Sequence, residues 1–284
     1  MPKKYFHLLQ SSKYQQDTSI YMYLTRYIYF KKLKLYYFQT NIKRSSALFC
    51  YFVFNLLQIK NTVLKQQQNI HVFGISGLGA DKRVFNFLKL NYDFTAIDWI
   101  EPLPKETIAS YAQRLINEYQ LNTESNIVIV GVSFGGMIAS EMHPLLKPQK
   151  TIVISSATKT SELPRLFSLV RRLYLSRWIP NFLLKPNIHI TAFLFGTKRK
   201  KLLKSIIKDT NIQFFRWGMY AITNWIKAKS ASDIITVHGT KDKIIPKKGE
   251  KTYTIKNGGH FMIVDLAGEV STIINEEILK LKKY

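Results

Sequence analysis

A serine lies in the segment GVSFGG, which covers residues 131–136. A serine hydroxyl is a poor nucleophile unless a base accepts its proton and its oxygen is exposed. A sharp turn between a strand and a helix exposes the oxygen, and glycines two positions before and after the serine relieve the crowding in that turn. Gly131 and Gly135 occupy those positions, and Gly136 adds room. The pattern predicts Ser133 as a nucleophile on a tight strand-to-helix turn.

The base for such a serine is normally a histidine, and the chain contains six. His260 lies in the loop NGGHF after the last candidate strand, and ligands bind beyond the carboxyl ends of parallel strands. We therefore predict His260 as the general base. The other five histidines have less suitable positions. His7 lies in the N-terminal segment, His71 in the first strand and His189 in a predicted cap. His143 lies at the far end of the helix after Ser133, and His238 precedes a Gly-Thr turn that it is expected to support.

The acid that orients this histidine should also follow a strand. Asp242 does so in HGTKDK, where its carboxylate would hold the imidazole tautomer and stabilise the protonated ring. Asp98 and Asp265 are alternatives, although Asp265 is expected to cap the closing helix. Only 17 residues separate Asp242 from His260. The stretch 243–251 extends to about 30 Å, whereas a short strand spans about 17 Å, so we expect a crossing without a helix.

The oxyanion that forms during acyl transfer needs two backbone N–H donors. Phe134, directly after the nucleophile, is predicted to supply one. Leu78, in the turn SGLG at 76–79, is predicted to supply the other. This turn lacks both G-x-x-x-x-G-K-[ST] and a complete G-x-G-x-x-G, which argues against nucleotide binding. No metal and no organic cofactor are predicted.

Short apolar runs alternate with helical periodicities from residue 70 onward, and the β-branched runs are typical of strands buried on both faces. The predicted strands cover 70–75, 94–99, 127–130, 151–154, 234–237 and 252–255. The predicted helices cover 108–119, 137–142 and 270–281. This alternation predicts an α/β fold: a mostly parallel sheet of about six strands with helices on both faces. Between 158 and 229 the pattern lapses into helix-like segments broken by prolines, which predicts a helical cap insertion over the strand ends.

Residues 1–69 differ sharply in composition from the predicted α/β part, 70–284. They hold eleven Lys or Arg and a single acid, Asp17. Their most apolar run, 47–57, is too short to cross a bilayer, which takes about 20 residues. We interpret 1–69 as a basic extension that is poorly ordered or not native. The alternation of aromatic and basic residues at 27–37 leaves a membrane-surface anchor as the alternative.

The net charge of the 284-residue chain is +24. Such a charge favours anionic partners, including nucleic acid and phospholipid headgroups. No nucleic-acid motif accompanies it, so we predict a solvated basic surface and no nucleic-acid partner. The single cysteine, Cys50, cannot form an intrachain disulfide and is compatible with a reducing compartment. We predict a cytoplasmic location, with peripheral membrane contact through the basic tail or cap as the alternative.

From about residue 70 the chain resembles the α/β-hydrolase superfamily. The order Ser133, Asp242, His260 matches that family's order of nucleophile, acid and base. GVSFGG is similar to its nucleophile elbow, HGTKDKIIP to its acid loop, NGGHF to its histidine loop, and SGLGADKRVF to its oxyanion turn, with Ser76 where many members have histidine. The sequence departs from the usual pattern of this superfamily in two places. The strand hairpin that usually precedes the oxyanion strand is not evident in 1–69, and the helix usually found between the acid and the histidine is missing. The resemblance implies a compact, esterase-like member with a serine nucleophile.

The resemblance implies cleavage of a carboxylic ester in a small-molecule acyl substrate through an acyl-enzyme. Serine in place of aspartate argues against the dehalogenase and epoxide-hydrolase branches. Acyl transfer and thioester cleavage use the same triad, and a non-catalytic ligand-binding protein of this fold is the alternative from another class. Basic and apolar residues interleave in the cap, which could select lipid-like or anionic substrates, dock on a membrane, or be an ordinary amphipathic cap. The basic ones are Arg165, Arg171, Arg172, Arg177, Lys198, Arg199, Lys200 and Lys201, and the apolar ones are Leu166, Phe167, Leu173, Tyr174, Trp178 and Phe182.

Overall fold

The structure, a computed structural model, describes Phe54 and residues 70–124, 126–172, 188–249 and 251–281. Apart from Phe54, the predicted N-terminal extension lies outside the described residues, as does the 173–187 part of the predicted cap.

Six strands form one parallel sheet in the described part of the chain. They are β1 (His71–Ile75), β2 (Asp93–Ile97), β3 (Ile127–Val132), β4 (Lys150–Ile154), β5 (Ile235–Gly239) and β6 (Tyr253–Ile255). Their order across the sheet is β2-β1-β3-β4-β5-β6. The structure confirms the predicted α/β class and all six strands, although β2 ends two residues earlier than predicted and β3 and β5 each end two residues later. The strand order reverses between β1 and β3, and such a switch point opens a crevice at the carboxyl ends of the strands.

Eight helices accompany this sheet in the described ranges. They are α1 (Ile108–Glu118), α2 (Phe134–Leu146), α3 (Arg165–Arg172), α4 (Ile188–Phe195), α5 (Lys200–Asp209), α6 (Ile212–Asn224), α7 (Met262–Asp265) and α8 (Ala267–Leu281). Short 3-10 turns occupy Lys82–Phe85, Leu121–Thr123 and Thr160–Glu162. Helices α3 to α6 fall within the segment that the sequence predicted as a cap. Thr210, just after α5, donates its hydroxyl proton to the Gly79 carbonyl at 2.8 Å, which ties this segment to the turn after β1.

Alternate side chains of a strand point to opposite faces of the sheet, and in β1, β3 and β4 nearly all of these side chains are buried. In β1, Phe73 and Ile75 pack on the side of α1 and α2, whereas Val72 packs on the side of α8. β3 is buried along its whole length, as its β-branched run predicted. Helix α1 begins at a capping box between Thr107 and Ser110 and buries its apolar face in the first of these layers. This rigid core holds the strand ends that carry the candidate site.

Among the described residues, no helix is long and apolar enough to cross a membrane.

A buried ion pair connects the start of the predicted cap to the segment before β6. Lys251 Nζ lies 2.6 Å from Glu162 Oε1, and the two side chains are only 2% and 11% exposed. Glu162 Oε2 accepts a 2.7 Å hydrogen bond from the Thr158 N–H. Burial alone would raise the pKa of Glu162, but the hydrogen bonds from Lys251 and Thr158 outweigh it, so the pKa lies below its ordinary value of 4.5. The pair therefore stabilises the fold only while Glu162 is ionised.

Glu162→Gln is expected to lower the free energy of unfolding at pH 7 by about 3–5 kcal/mol, because it leaves the Lys251 ammonium buried and unpaired. A lowered pKa in the folded state contributes stability above the ordinary pKa, and this contribution is lost as the pH falls through the folded value. The difference between the two proteins should therefore shrink below about pH 4.5, as measured by urea unfolding at a series of pH values. The exposed pair Lys82–Asp98 provides the control, since Asp98→Asn should change stability by less than about 1 kcal/mol. A difference for Glu162→Gln that does not vary with pH would contradict this account.

Candidate active site

Ser133 lies on the turn between β3 and α2, beside the switch point of the sheet. Its backbone angles, φ 52° and ψ −120°, are outside the regions that residues with a Cβ normally adopt. The strained turn is held by neighbouring strands, since the Ser133 N–H donates to the Ile154 carbonyl at 2.9 Å. The Ser133 carbonyl in turn accepts a 2.5 Å hydrogen bond from Ser156 Oγ. The structure thus places Ser133 on the predicted strand-to-helix turn.

The three glycines around this serine lie where the backbone is too crowded for a side chain. A Cβ on Gly135 would lie 2.2 Å from the Ser76 carbonyl oxygen, and one on Gly131 would lie 2.4 Å from the Gly135 carbonyl oxygen. A Cβ on Gly136 would lie 2.6 Å from Ser156 Cβ. Glycine at these positions lets α2 begin directly against the strand ends, as the sequence pattern predicted.

Ser133, His260 and Asp242 form a continuous chain of hydrogen bonds. His260 Nε2 lies 2.9 Å from Ser133 Oγ, and His260 Nδ1 lies 2.9 and 3.0 Å from the two oxygens of Asp242. An ionised carboxylate only accepts hydrogen bonds, so Nδ1–H donates to Asp242 and Nε2 is left to accept the serine proton. Both His260 and Asp242 are buried. The structure therefore brings together the three side chains that the sequence singled out.

Asp242 is fixed by its own loop. Its Oδ1 accepts hydrogen bonds from the N–H groups of Ile244 and Ile245, both at 3.0 Å. His238, at the end of β5, donates from Nε2 to the Ile245 carbonyl at 2.6 Å and lies 3.6 Å from Asp242 Oδ2. Burial lowers the pKa of His238 below its ordinary value of 6.5, so the ring is neutral at pH 7. His238 therefore supports the acid loop, as predicted for it.

The described residues between Asp242 and His260 contain β6 and no helix, which agrees with the predicted crossing. Adjacent parallel strands carry the two residues, since β5 pairs with β6 from Val237–Tyr253 to Gly239–Ile255. The two loops approach closely, and the Lys241 N–H donates to the Gly258 carbonyl at 2.8 Å. This short crossing is sufficient to place the carboxylate beside the imidazole.

The turn after β1 lies against the candidate nucleophile. A Cβ on Gly77 would be 3.3 Å from Ser133 Cβ and 3.8 Å from Ser133 Oγ. Within the described ranges, the N–H groups of Leu78 and Phe134 donate to no backbone carbonyl, and the Phe134 N–H lies at the first turn of α2. Ser76 Oγ donates to the Ala80 carbonyl at 3.0 Å, which closes the turn. The role of Leu78 and Phe134 as oxyanion donors remains a prediction, which this arrangement accommodates.

Two residues near the site were missed in the sequence. The Phe195 ring at the end of α4 meets the His260 ring edge-on at 5.3 Å between centroids, and its carbonyl accepts from the Phe261 N–H at 3.1 Å. Ser156, whose hydroxyl donates to the Ser133 carbonyl, lies two residues after the end of β4. Its position after a strand was a usable signal, whereas nothing in the sequence around Phe195 indicates a partner 65 residues away.

The remaining candidates within the described residues have structural partners instead. His71 bonds to Thr95, and His143 bonds to Thr151 and Asp233. Asp98 is an exposed partner of Lys82, and Asp265 lies near Arg199. His7 lies outside the described residues. No group of three or more possible metal ligands occurs among the described residues.

Solved structures that resemble this chain share its fold. A lipase-esterase related protein from Clostridium acetobutylicum is 15% identical with a TM-score of 0.54, covering 74% of this chain and 95% of that one. A thermophilic esterase from Thermogutta terrifontis is 15% identical with a TM-score of 0.54, covering 75% and 90%. The RedJ thioesterase of the prodiginine pathway in Streptomyces coelicolor is 14% identical with a TM-score of 0.50, covering 72% and 90%. No protein-family model and no curated protein matches the sequence. The chain has the α/β-hydrolase fold.

Proposed function

We propose that this protein is a serine hydrolase that cleaves a carboxylic ester through an acyl-enzyme. The observation that carries the proposal is the chain of hydrogen bonds from Ser133 Oγ through His260 to Asp242. The fold supports it independently, because esterases and a thioesterase are among the structures of the same fold.

In this mechanism Ser133 Oγ forms a bond to the acyl carbon while its proton moves to His260 Nε2. The carbonyl electron pair moves onto oxygen, where the N–H groups of Leu78 and Phe134 stabilise the negative charge. The intermediate expels the alcohol, which takes the proton from His260 and leaves the acyl group on Ser133. Water then repeats the sequence, giving the free acid and restoring the serine. Asp242 stabilises the imidazolium in both halves.

A fluorophosphonate probe tests the proposal because it reacts only with a serine activated as a nucleophile. We expect the folded full-length protein to gain one adduct by intact mass and peptide mapping to place it on Ser133. Ser140→Ala serves as a matched control, since Ser140 is buried on α2 and its hydroxyl donates to the Gly136 carbonyl. The control should label at the wild-type rate. A folded protein that remains unlabelled would favour the non-catalytic ligand-binding alternative.

Thioester cleavage and transfer to an acceptor other than water use the same side chains, and both remain alternatives. Thioester cleavage differs from ester hydrolysis in its leaving group, which is a thiol, and acyl transfer differs in its product, which is an acylated acceptor. Assays of the products formed from an ester and from its matching thioester therefore distinguish the three reactions. For the proposed hydrolase, the rate at which free acid is released from the ester should equal or exceed the rate at which an added alcohol is acylated.

A further inference from the structure

A cavity of about 680 Å³ lies beyond the turn that faces Ser133. Its size is that of an ordinary ligand site, about 300–1,000 Å³. It is bounded by the turn after β1, the loop after β2, the segment that joins α5 to α6, and helix α6. Its walls include Gly79, Trp99, Leu103, Phe214, Trp217 and Tyr220, and none of Ser133, Asp242 and His260 lines it.

The two indole N–H groups in the aromatic wall of this cavity are engaged by backbone carbonyls. Trp99 Nε1 donates to the Ala80 carbonyl at 2.9 Å, and Trp217 Nε1 donates to the Glu106 carbonyl at 3.0 Å. The Phe214 ring lies 5.0 Å from the Trp99 ring and 5.3 Å from the Trp217 ring. Because both indole N–H groups are already paired, this wall recognises a ligand by apolar contact.

The two aspartates that line the cavity both pair with one arginine. Arg83 lies 2.5 Å from an Asp81 carboxylate oxygen and 2.8 Å from one of Asp209. The hydrogen bond from Arg83 lowers the pKa of Asp81 below its ordinary value, so this carboxylate is ionised and paired at pH 7. Glu101, Lys105 and Arg216 also line the cavity, so its charged lining carries both signs. The feature that favours an apolar ligand is therefore the aromatic wall.

The cavity shares a wall with the candidate active site. The Phe134 ring, next to Ser133 in sequence, lies 5.8 Å from the Trp99 ring and 5.7 Å from the Trp217 ring. Gly79 lines the cavity and lies two residues from Gly77, which approaches Ser133 Oγ. Two residues span at most about 7 Å. The cavity thus adjoins the candidate active site across Phe134 and the turn after β1.

We propose that this cavity binds an apolar arm of the ester, alkyl or aryl, while the carbonyl reacts at Ser133. The inference rests on the proposed function and adds a substrate class to it, namely esters with a long apolar group. Burial of each methylene typically strengthens an interaction about fourfold, so a cavity of this size separates long from short esters strongly. This arm is either the acyl chain or the alcohol chain of the ester. Both chains are apolar, but they extend from opposite sides of the carbonyl.

Leu103→Trp tests the proposal, because Leu103 lines the cavity and is 54% exposed, so a larger side chain narrows the cavity with little effect on folding. Leu145→Trp is the matched control: Leu145 lies on α2, is 52% exposed and does not line the cavity. Ethyl decanoate and decyl acetate are isomers with the long chain on opposite sides of the carbonyl. The quantity to measure is kcat/KM for each isomer relative to that for ethyl acetate, by titration of the released acid with the full-length protein.

We expect Leu103→Trp to lower this ratio at least tenfold for one isomer, and the affected isomer identifies the arm. Leu145→Trp should keep both ratios within twofold of wild type. Ratios within twofold for both isomers in Leu103→Trp would overturn the proposal. If wild type hydrolyses none of the three esters, the proposed function fails, and the cavity is tested alone by tryptophan-fluorescence titration with decyl acetate. In that case a dissociation constant raised at least tenfold by Leu103→Trp supports the cavity, and an unchanged constant or no saturable binding overturns it.

Discussion

Ser133→Ala is expected to lower kcat for ethyl acetate hydrolysis by a factor on the order of 10⁴–10⁶, while the protein stays folded. The substitution removes the atom that attacks the carbonyl and that lies 2.9 Å from His260 Nε2. Residual catalysis would come from substrate binding and the oxyanion donors alone. Alanine keeps a Cβ at this position, so the backbone turn around it is retained. Titration of released acid, with circular dichroism to verify folding, measures the effect.

Ser140→Ala again provides the comparison, because it removes a buried hydroxyl from the same helix without touching His260. Its kcat should remain within a few-fold of wild type. Ser133→Ala protein that keeps more than a few per cent of wild-type activity would show that another group is the nucleophile.

Asp242→Asn is expected to lower kcat by about 10⁴, the second largest effect. The asparagine oxygen can still accept from the N–H groups of Ile244 and Ile245, which turns its NH₂ toward His260 Nδ1. Nδ1 would then accept a hydrogen bond, and the ring proton would move to Nε2, where it blocks transfer from Ser133. Steady-state kinetics at pH 7 to 9 measure the loss.

Substitutions of the two other acids considered from the sequence test whether Asp242 is the acid partner of His260. Asp98→Asn and Asp265→Asn change carboxylates that form no hydrogen bond with His260 in the described structure, and each should leave kcat within a few-fold of wild type. A loss for Asp98→Asn or Asp265→Asn as large as that for Asp242→Asn would contradict the proposed role of Asp242.

The strands and the candidate site residues were predictable because each leaves a local signal. The run Ile127–Val130 is β-branched and uncharged, which indicates a strand buried on both faces, and β3 is buried throughout. Ser133, Asp242 and His260 each follow a strand of the parallel sheet, which brings them to one edge. The spacing of Asp242 and His260 also predicted correctly that their crossing needs no helix.

The features that could not be predicted from the sequence depend on contacts between segments that are distant along the chain. The pairing of Phe195 with His260, and of Trp99 with Phe214, joins residues whose neighbours in sequence carry no pattern that points to each other. Strand ends were also displaced by one or two residues, because hydrogen bonding to the neighbouring strand, and not side-chain type, decides where a strand stops. Selection of substrates by the basic residues of the predicted cap remains a prediction.

The backbone at Ser133 has a consequence for efforts to engineer this protein. A residue with a Cβ at φ 52° and ψ −120° costs about 1–3 kcal/mol of folding stability, and glycine would relieve most of it. Directed evolution screened for thermal resistance alone would therefore tend to replace Ser133 with glycine. The variants that rank highest in such a screen would be inert scaffolds, so any library at this turn needs activity as a second selection.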